Sequence, residues 1–226
     1  PLLEIVSEPE ISNAKEAVAY MKAMHQLVTY LDVSDGNMAQ GSLRCDANVS
    51  IRKKGVKELG TRTEIKNINS FKFIEKAINF EIKRQIKILE DGQKVTQETR
   101  LYDSSKNETR PMRSKEFAND YRHFPEPDLL PVIISDQEIQ KIRDEFPELP
   151  KEKEARYQGE LGLSEYDSQI ISSSKSMADF FDASLEKTKN YSLLSNWLIG
   201  EISAYLNKEQ IEIHESKLTV AKVAML

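Results

Sequence analysis

The sequence predicts an α+β fold in which an antiparallel-rich sheet with covering helices is followed by an all-α region. Residues 43–51 alternate between apolar and polar side chains, as in a strand with one buried face, and a further strand is predicted over residues 95–101. From Ser135 onward, apolar residues recur at helical spacing instead. We therefore expect a sheet-containing domain over residues 1–140 and a helical domain over residues 141–226.

The stretch Gly41–Ser70 predicts a β-hairpin with one polar side. Its first strand is apolar at odd-numbered positions, and its second strand runs from about Leu59 to Lys66. The polar side is either the solvated face of an antiparallel sheet or a functional surface, and poor strand formers such as Asp and Asn favour the second interpretation. That side would present Arg44, Asp46, Asn48, Glu64 and Lys66.

Two apolar runs near the ends of the first domain also predict strands. Leu2–Val6 reads as a buried strand with Glu4 at its centre, where a carboxylate needs an ion pair or a metal ion. An edge strand with Glu4 in water is the alternative. Leu129–Ile134 predicts another strand, whereas Asp103–Met112 predicts a polar loop.

Capping residues mark the predicted helix starts. The helix after Ser70 has an inner stripe formed by Ile74, Ile78, Ile82, Ile86 and Leu89, and it ends at Gly92. Three further starts pair a capping residue with an acidic residue three positions later: Asn13 with Glu16, Ser135 with Glu138, and Ser164 with Asp167.

Composition excludes several classes of protein. The 226 residues carry a net charge of −5, which argues against a broad phosphate-binding surface but leaves a local basic patch open. The single Cys45 excludes an internal disulfide framework and predicts a packed thiol. No apolar run approaches the roughly 20 residues of a membrane span. The first residue is Pro1 in an apolar run already under way, so we expect a piece of a longer protein.

The polar residues of the predicted hairpin suit phosphoryl chemistry. Carboxylates with asparagine and few histidines are typical of a hard cation such as Mg²⁺. Arg44 and Lys66 beside Glu4, Glu64 and Asp46 suit phosphate oxygens. A metal ion with cations around one pocket serves phosphoryl transfer, yet the chain contains no glycine-rich phosphate loop. Any nucleotide site must therefore be unconventional.

Several long motifs carry a family resemblance: PLLEIVSEPEI, GSLRCDANVSIR, GTRTEIKNINSF, EIKRQ, QETRLYD and DYRHFPEPDL. In this order they resemble the B subunit of glutamine-dependent aspartyl/glutamyl-tRNA amidotransferases, the GatB-type family. The resemblance is dense over residues 1–134 and looser in the helical part. It implies a kinase-like cradle domain, of which residues 1–140 are the C-terminal portion, followed by a truncated helical domain.

The resemblance implies an ATP- and Mg²⁺-dependent ligase with glutamine as nitrogen donor. Such a subunit phosphorylates the side-chain carboxylate of Glu-tRNA(Gln) or Asp-tRNA(Asn), and ammonia from a partner amidase subunit then forms the amide. A small C-type subunit completes the complex. The implied location is the bacterial-type cytoplasm, with an organellar location left open and no membrane attachment. The alternatives are a non-catalytic RNA-binding or scaffold subunit and a stand-alone ligase of small carboxylates.

The resemblance also implies residue roles, and it places part of the site outside this chain. Glu4 and Glu64 would bind the metal ion. An upstream strand with a Glu-x-His motif and a C-terminal tail domain are expected beyond these residues, so we expect the 226 residues alone to be inactive. Catalysis would use Arg44, Asp46 and Lys66. The cofactor would contact Ser42, Asn48, Asn67 and Arg122. Tyr121 and Glu126 are further candidates in the same loop as Arg122.

Overall fold

The computed structural model describes residues 2–112 and 128–223 of the chain. It shows the predicted α+β class, with one four-stranded mixed sheet and a set of helices in the described part. The chain divides into two compact units: residues up to 25 with residues 34–133, and residues 26–33 with residues 134–226. No helix in the described ranges is long and apolar enough to cross a membrane.

Within residues 2–112, the structure shows two helices and four strands. The elements are α1 (Ala14–Tyr30), β1 (Cys45–Val49), β2 (Thr63–Ile68), α2 (Phe71–Glu90), β3 (Thr99–Asp103) and β4 (Glu108–Pro111).

The second half is helical, as predicted. Its elements are α3 (Asp136–Asp144), α4 (Pro150–Gly159), α5 (Glu165–Ser172), α6 (Lys175–Leu185), α7 (Tyr191–Trp197), a π-helical turn (Leu198–Ile202), α8 (Ser203–Glu209), a 3₁₀ turn (Ile213–Glu215) and α9 (Val220–Val223).

The strands lie in the order β1-β2-β3-β4. The β1–β2 and β3–β4 pairs are antiparallel, whereas β2 and β3 run parallel. A parallel pair needs a crossover connection, and α2 supplies it between β2 and β3. The sheet is therefore a β2-α2-β3 unit with one antiparallel strand added at each edge, β1 beside β2 and β4 beside β3.

Helix α2 covers one face of the sheet. Its buried residues Ile74, Ala77 and Ile78 belong to one apolar cluster with Val49, Ile65, Ile68 and Tyr102 of the strands. The alternation in β1 is confirmed, because Val49 is buried whereas Asp46 and Asn48 are exposed. The sheet thus has a covered face against α2 and an open polar face.

The predicted helix starts are confirmed by hydrogen bonds. The Asn13 side chain accepts from the Glu16 amide at 3.0 Å, and Ser70 Oγ accepts from the Phe73 amide at 3.2 Å. Gly92 follows α2 with φ +72°, a conformation that favours glycine. In the second half, Ser135 and Ser164 cap α3 and α5 as predicted.

The helical unit has its own apolar core. Tyr157, Ile171, Phe181 and Leu198 are fully buried there. The Tyr157 and Phe181 rings meet edge to face with centroids 4.9 Å apart.

Three segment predictions were wrong. Leu2–Val6 and Leu129–Ile134 form neither strand nor helix and are exposed, because no described strand pairs with them and an apolar run alone does not make a strand. The predicted polar loop Asp103–Met112 instead contains β4, which pairs with β3 across a tight turn at Asn107, φ +54°.

The predicted inner stripe of α2 is also wrong in its second half. Ile86 and Leu89 are 41% and 46% exposed, whereas Glu81 and Gln85 are fully buried. The reason lies in the sheet, which presents polar groups of β1–β4 to this part of the helix, so buried polar side chains there find hydrogen-bond partners.

Candidate functional site

The open face of the sheet collects polar side chains from every strand. The register places Asn48 opposite Glu64, and Glu64 beside Thr99. A second row runs through Lys66 and Leu101 to Arg110. The predicted polar side of the hairpin is therefore one half of a wider face, and β3 and β4 supply the other half.

Lys66 joins the two carboxylates at the centre of this face. Its ammonium donates to Asp46 Oδ2 at 2.7 Å and lies 3.2 Å from Glu64 Oε1. Thr99 Oγ1 donates to the other Glu64 oxygen, Oε2, at 2.8 Å. The structure thus brings together three of the predicted site residues and holds Glu64 from two sides.

These contacts keep Lys66 charged. The hydrogen bond to Asp46, followed by that to Glu64, raises the pKa of Lys66 above its ordinary value although partial burial opposes the shift. Because the folded-state pKa is the higher one, the stabilisation is complete below the unfolded pKa of about 10.4 and is lost as the pH rises through the folded value. The side chains of Lys66 and Asp46 are 40% and 46% exposed. Their ion pair therefore fixes the position of the Lys66 ammonium but adds little to the free energy of unfolding.

A β-bulge shapes the face beside Lys66. The β1–β2 register moves by one residue between the pair Cys45–Ile68 and the pair Ala47–Ile65, so Asp46 lies opposite two residues, Lys66 and Asn67. Asn67 has φ +66°, and its side-chain nitrogen Nδ2 donates to the Tyr102 carbonyl at 3.0 Å. Bulges often occur beside active sites, where they redirect a side chain.

Replacing Asn67 by alanine is expected to lower the free energy of unfolding by about 1–2 kcal/mol. Alanine adopts a positive φ less readily than asparagine and removes the bond to β3. Urea denaturation of the complete subunit measures the change. Asn67→Gly keeps the backbone conformation accessible and serves as the comparison; an alanine variant as stable as the wild type would contradict the strain argument.

Other predicted residues lie on or near the same hairpin without joining the Lys66 cluster. Arg44 Nε donates to the Gly41 carbonyl at 3.2 Å, which folds its side chain back on the preceding turn. The Ser42 amide donates to the Asn37 carbonyl at 3.0 Å, and Ser42 itself is exposed. Asn48 is exposed beside Glu64.

The Cys45 thiol is packed, and burial raises its pKa to about 11, as expected of a structural cysteine.

The structure does not bring Glu4 to Glu64. Glu4 is exposed in a segment without regular structure, so the predicted buried strand around it is not formed. Arg122, with Tyr121 and Glu126, lies outside the described residues. Their predicted roles stay predictions.

The open face meets only part of what Mg²⁺ requires. Asp46 and Glu64 have the oxygen ligands that Mg²⁺ prefers, but Lys66 lies between them. In residues 2–112 and 128–223, no group of three or more His, Cys, Asp or Glu side chains is placed to hold a metal ion. The described residues therefore do not form a metal site by themselves.

A buried ionic network lies on the opposite side of the sheet, between the strands and α2. Glu81 of α2 accepts from Arg84 Nη2 at 2.6 Å, from Gln85 Nε2 at 2.9 Å and from Thr109 Oγ1 at 3.1 Å. Arg100 Nε lies 3.7 Å from the same carboxylate. Burial opposes the charge, but the bonds from Arg84 and Gln85 lower the pKa of Glu81 below its ordinary value.

This network ties α2 to the strands. Gln85 Nε2 also donates to the Val49 carbonyl of β1 at 3.0 Å and to Thr63 Oγ1 of β2 at 3.3 Å. Thr63 precedes Glu64, and Arg100 follows Thr99. Glu81 and its partners thus secure the backbone positions from which the Glu64–Thr99 pair projects.

Sequence reasoning missed Thr99, Arg110 and Glu81. Arg110 is on the open face and forms an ion pair with Asp103, but its strand was predicted as a loop. The alternation in residues 95–101 placed Thr99 on one face of a predicted strand, but it did not show which of the two faces a helix covers. For Glu81, the available signal was its place three and four residues before Arg84 and Gln85 on one helix.

Comparisons with known proteins match the chain along its length. Residues 1–140 match the model of the GatB/GatE catalytic domain, and residues 179–226 match that of the GatB domain. The chain is 60% identical over all its length to the B subunit of the aspartyl/glutamyl-tRNA(Asn/Gln) amidotransferase of Vesicomyosocius okutanii, and it covers 48% of that protein.

Two other relatives bear the same name. The Marinomonas protein is 61% identical over 96% of the chain, which covers 45% of that protein, and the Azotobacter vinelandii protein is 58% identical over the whole chain, which covers 47%. The chain therefore spans about half the length of the curated relatives it matches. Since the catalytic-domain model matches more than half of its residues, the chain belongs to the GatB/GatE catalytic domain family.

Proposed function

We propose that this chain is part of the B subunit of an aspartyl/glutamyl-tRNA amidotransferase, and that the complete subunit activates the tRNA-bound carboxylate with ATP. The family match over residues 1–140 supports the assignment, together with the names of the relatives. The observation that carries it in the structure is the Asp46–Lys66–Glu64 cluster on an open sheet face.

The proposed reaction has two steps. The side-chain carboxylate oxygen of Glu-tRNA(Gln) or Asp-tRNA(Asn) attacks the γ-phosphorus of ATP, and ADP leaves. Ammonia from a partner amidase subunit then attacks the carbonyl carbon of the acyl phosphate, and phosphate leaves. The first step is needed because a carboxylate has no good leaving group, and positioning with charge neutralisation supplies most of its rate.

The residues of this chain would contribute charge and position. Lys66 holds an ammonium on the open face and suits a phosphate oxygen or the substrate carboxylate. Asp46 and Glu64 orient Lys66, and Arg44 lies at the start of the same hairpin. We assign Arg44, Asp46 and Lys66 to catalysis and Ser42, Asn48, Asn67 and Arg122 to cofactor contacts as part of the proposal.

ATP supplies the phosphoryl group in this proposal, and Mg²⁺ is the expected counterion. Glu4 and Glu64 as metal ligands stay a prediction, because the described carboxylates do not form a complete shell. No step is therefore assigned to the metal ion.

The wider assembly is part of the same proposal. Residues 1–140 would be the C-terminal portion of a kinase-like cradle domain, and residues 141–226 part of a helical domain. The partners would be an amidase subunit, a small C-type subunit and the misacylated tRNA. The proposed location is the bacterial-type cytoplasm.

Isotope labelling tests the proposal directly. The assembled complex is incubated with γ-labelled ATP and misacylated tRNA, with hydroxylamine replacing ammonia. We expect labelled phosphate release that depends on the tRNA, together with an ATP-dependent hydroxamate on the side-chain carboxyl of the amino acid; the hydroxamate that hydroxylamine forms at the α-carboxyl ester needs no ATP and is subtracted. ATP consumption with free glutamate alone would point to a stand-alone ligase, and no tRNA-dependent ATP consumption would point to a scaffold.

A further inference from the structure

The connection between β1 and β2 carries a concentration of positive charge. Four of the six residues 52–57 are basic, in a chain whose net charge is −5. All six are exposed. We call this segment the basic connection; its cations are Arg52, Lys53, Lys54 and Lys57.

Backbone contacts give the basic connection a defined shape. The Val56 amide donates to the Lys53 carbonyl at 3.1 Å, and Gly55 between them has φ +90°, as in a type II turn. The Arg52 guanidinium donates to the Lys57 carbonyl and closes the segment at its base. Lys53 and Lys54 are therefore held at the tip.

A close approach of the backbone holds the two arms together below the tip. A Cβ on Gly60 would lie 2.1 Å from the Ile51 carbonyl oxygen, so only glycine fits there. The segments that enter and leave the basic connection therefore approach each other closely.

The lysines of the basic connection have no acidic partner in the described structure. Lys66 and Arg110 on the neighbouring sheet face each pair with a carboxylate. Within residues 2–112 and 128–223, no carboxylate forms an ion pair with Lys53, Lys54 or Lys57. Unpaired cations close together repel one another, and they suit a ligand with several negative charges in a row.

The position of the basic connection relates it to the open face. It joins the ends of β1 and β2 at which Asn48 pairs with Glu64 and Val49 with Thr63. At about 3.3 Å per extended residue, Arg52 begins within roughly 15 Å of the Asn48–Glu64 pair. A polyanion bound to the basic connection could therefore reach the part of the open face that holds Glu64 and Lys66.

We propose that the basic connection binds the phosphate backbone of the tRNA next to its aminoacylated end. The inference rests on the proposed function, since it takes the RNA to be the polyanion whose end reaches the open face. Lysine contacts to phosphates position a nucleic acid without reading its sequence. The basic connection would thus align the acceptor end independently of the tRNA sequence.

Salt-dependent binding tests this inference in the complete complex. Lys53, Lys54 and Lys57 are replaced together by glutamine, and the Kd for misacylated tRNA is measured by fluorescence anisotropy from low to high salt. Because each lost phosphate contact removes about 0.7–0.9 from the slope of log K against log salt, we expect the slope to fall by about 2–3. The KM for tRNA should rise severalfold, while kcat at saturating tRNA stays unchanged.

A charge-matched variant provides the control. Lys15, Lys76 and Lys106 are exposed lysines of the same unit, and their triple glutamine variant changes the net charge equally. It should keep the wild-type slope. An unchanged slope in the Lys53/Lys54/Lys57 variant, an equal loss in the control, or loss of subunit assembly instead of tRNA affinity would each overturn the proposal.

The two proposals fail in different ways. If the wild-type complex binds tRNA with a slope that depends on the basic connection but performs no ATP-dependent amidation, the proposed function fails and the binding surface stands. If amidation proceeds and the slope is insensitive to the three lysines, only the binding surface fails.

Discussion

Replacing Glu64 by alanine in the complete subunit is expected to reduce ATP-dependent amide formation by on the order of 10²-fold or more, the scale of removing one preorganised electrostatic group. Glu64 lies opposite Asn48, contacts Lys66 at 3.2 Å and accepts from Thr99 at 2.8 Å. Its loss removes one of the two carboxylates that orient Lys66. Glutamine hydrolysis by the partner amidase should be unchanged, and parallel assays of amide and glutamate measure both.

Two further variants serve as comparisons for the Glu64 variant. Thr99→Val removes only the hydroxyl that orients Glu64 and should cause a smaller loss. Glu90→Ala removes an exposed carboxylate at the end of α2 and should leave the activity at the wild-type level. Full ATP-dependent amidation by the Glu64 variant would refute the catalytic role and favour a scaffold.

Replacing Glu81 by glutamine is expected to lower the free energy of unfolding by about 3–5 kcal/mol, the cost of breaking a buried ion pair. The change removes the fully buried counter-charge of Arg84 and of the nearby Arg100 guanidinium, which then keep only the partly exposed Glu98, paired with Arg100 and 3.8 Å from Arg84. Denaturant unfolding of the complete subunit measures the loss. Glu90→Gln on the same helix is the exposed control, and it should shift stability little.

The pH dependence of this effect follows from the lowered pKa of Glu81. Because the folded-state pKa lies below the unfolded value of about 4.3, the carboxylate stabilises the fold fully above that pH. The stabilisation is lost as the pH falls through the folded pKa. The stability difference between wild type and Glu81→Gln should therefore be constant near neutrality and shrink in acid; a difference that grows in acid would contradict the assigned charge.

The local sequence pattern was sufficient to predict several strands and helix starts in both parts of the chain. Alternation in β1 predicted which side is buried, and serine or asparagine caps predicted four helix starts, because both signals depend on neighbours in sequence. The same signals failed at Leu2–Val6 and Leu129–Ile134, apolar runs with which no strand of the described residues pairs. They also failed for α2, whose buried Glu81 and Gln85 depend on polar groups supplied by all four strands.

For the candidate site, too, one part could be predicted from the sequence and another part depends on the tertiary structure. The sequence by itself determined the family, through motifs of several residues, and the polar side of the hairpin, through the two-residue period of a strand. Only the tertiary structure decided that β3 lies parallel to β2 and brings Thr99 to Glu64, and that a bulge at Asn67 sets Lys66 against Asp46. Those contacts join residues 20 to 35 positions apart in the chain, and such pairs depend on strand register, which local sequence does not specify.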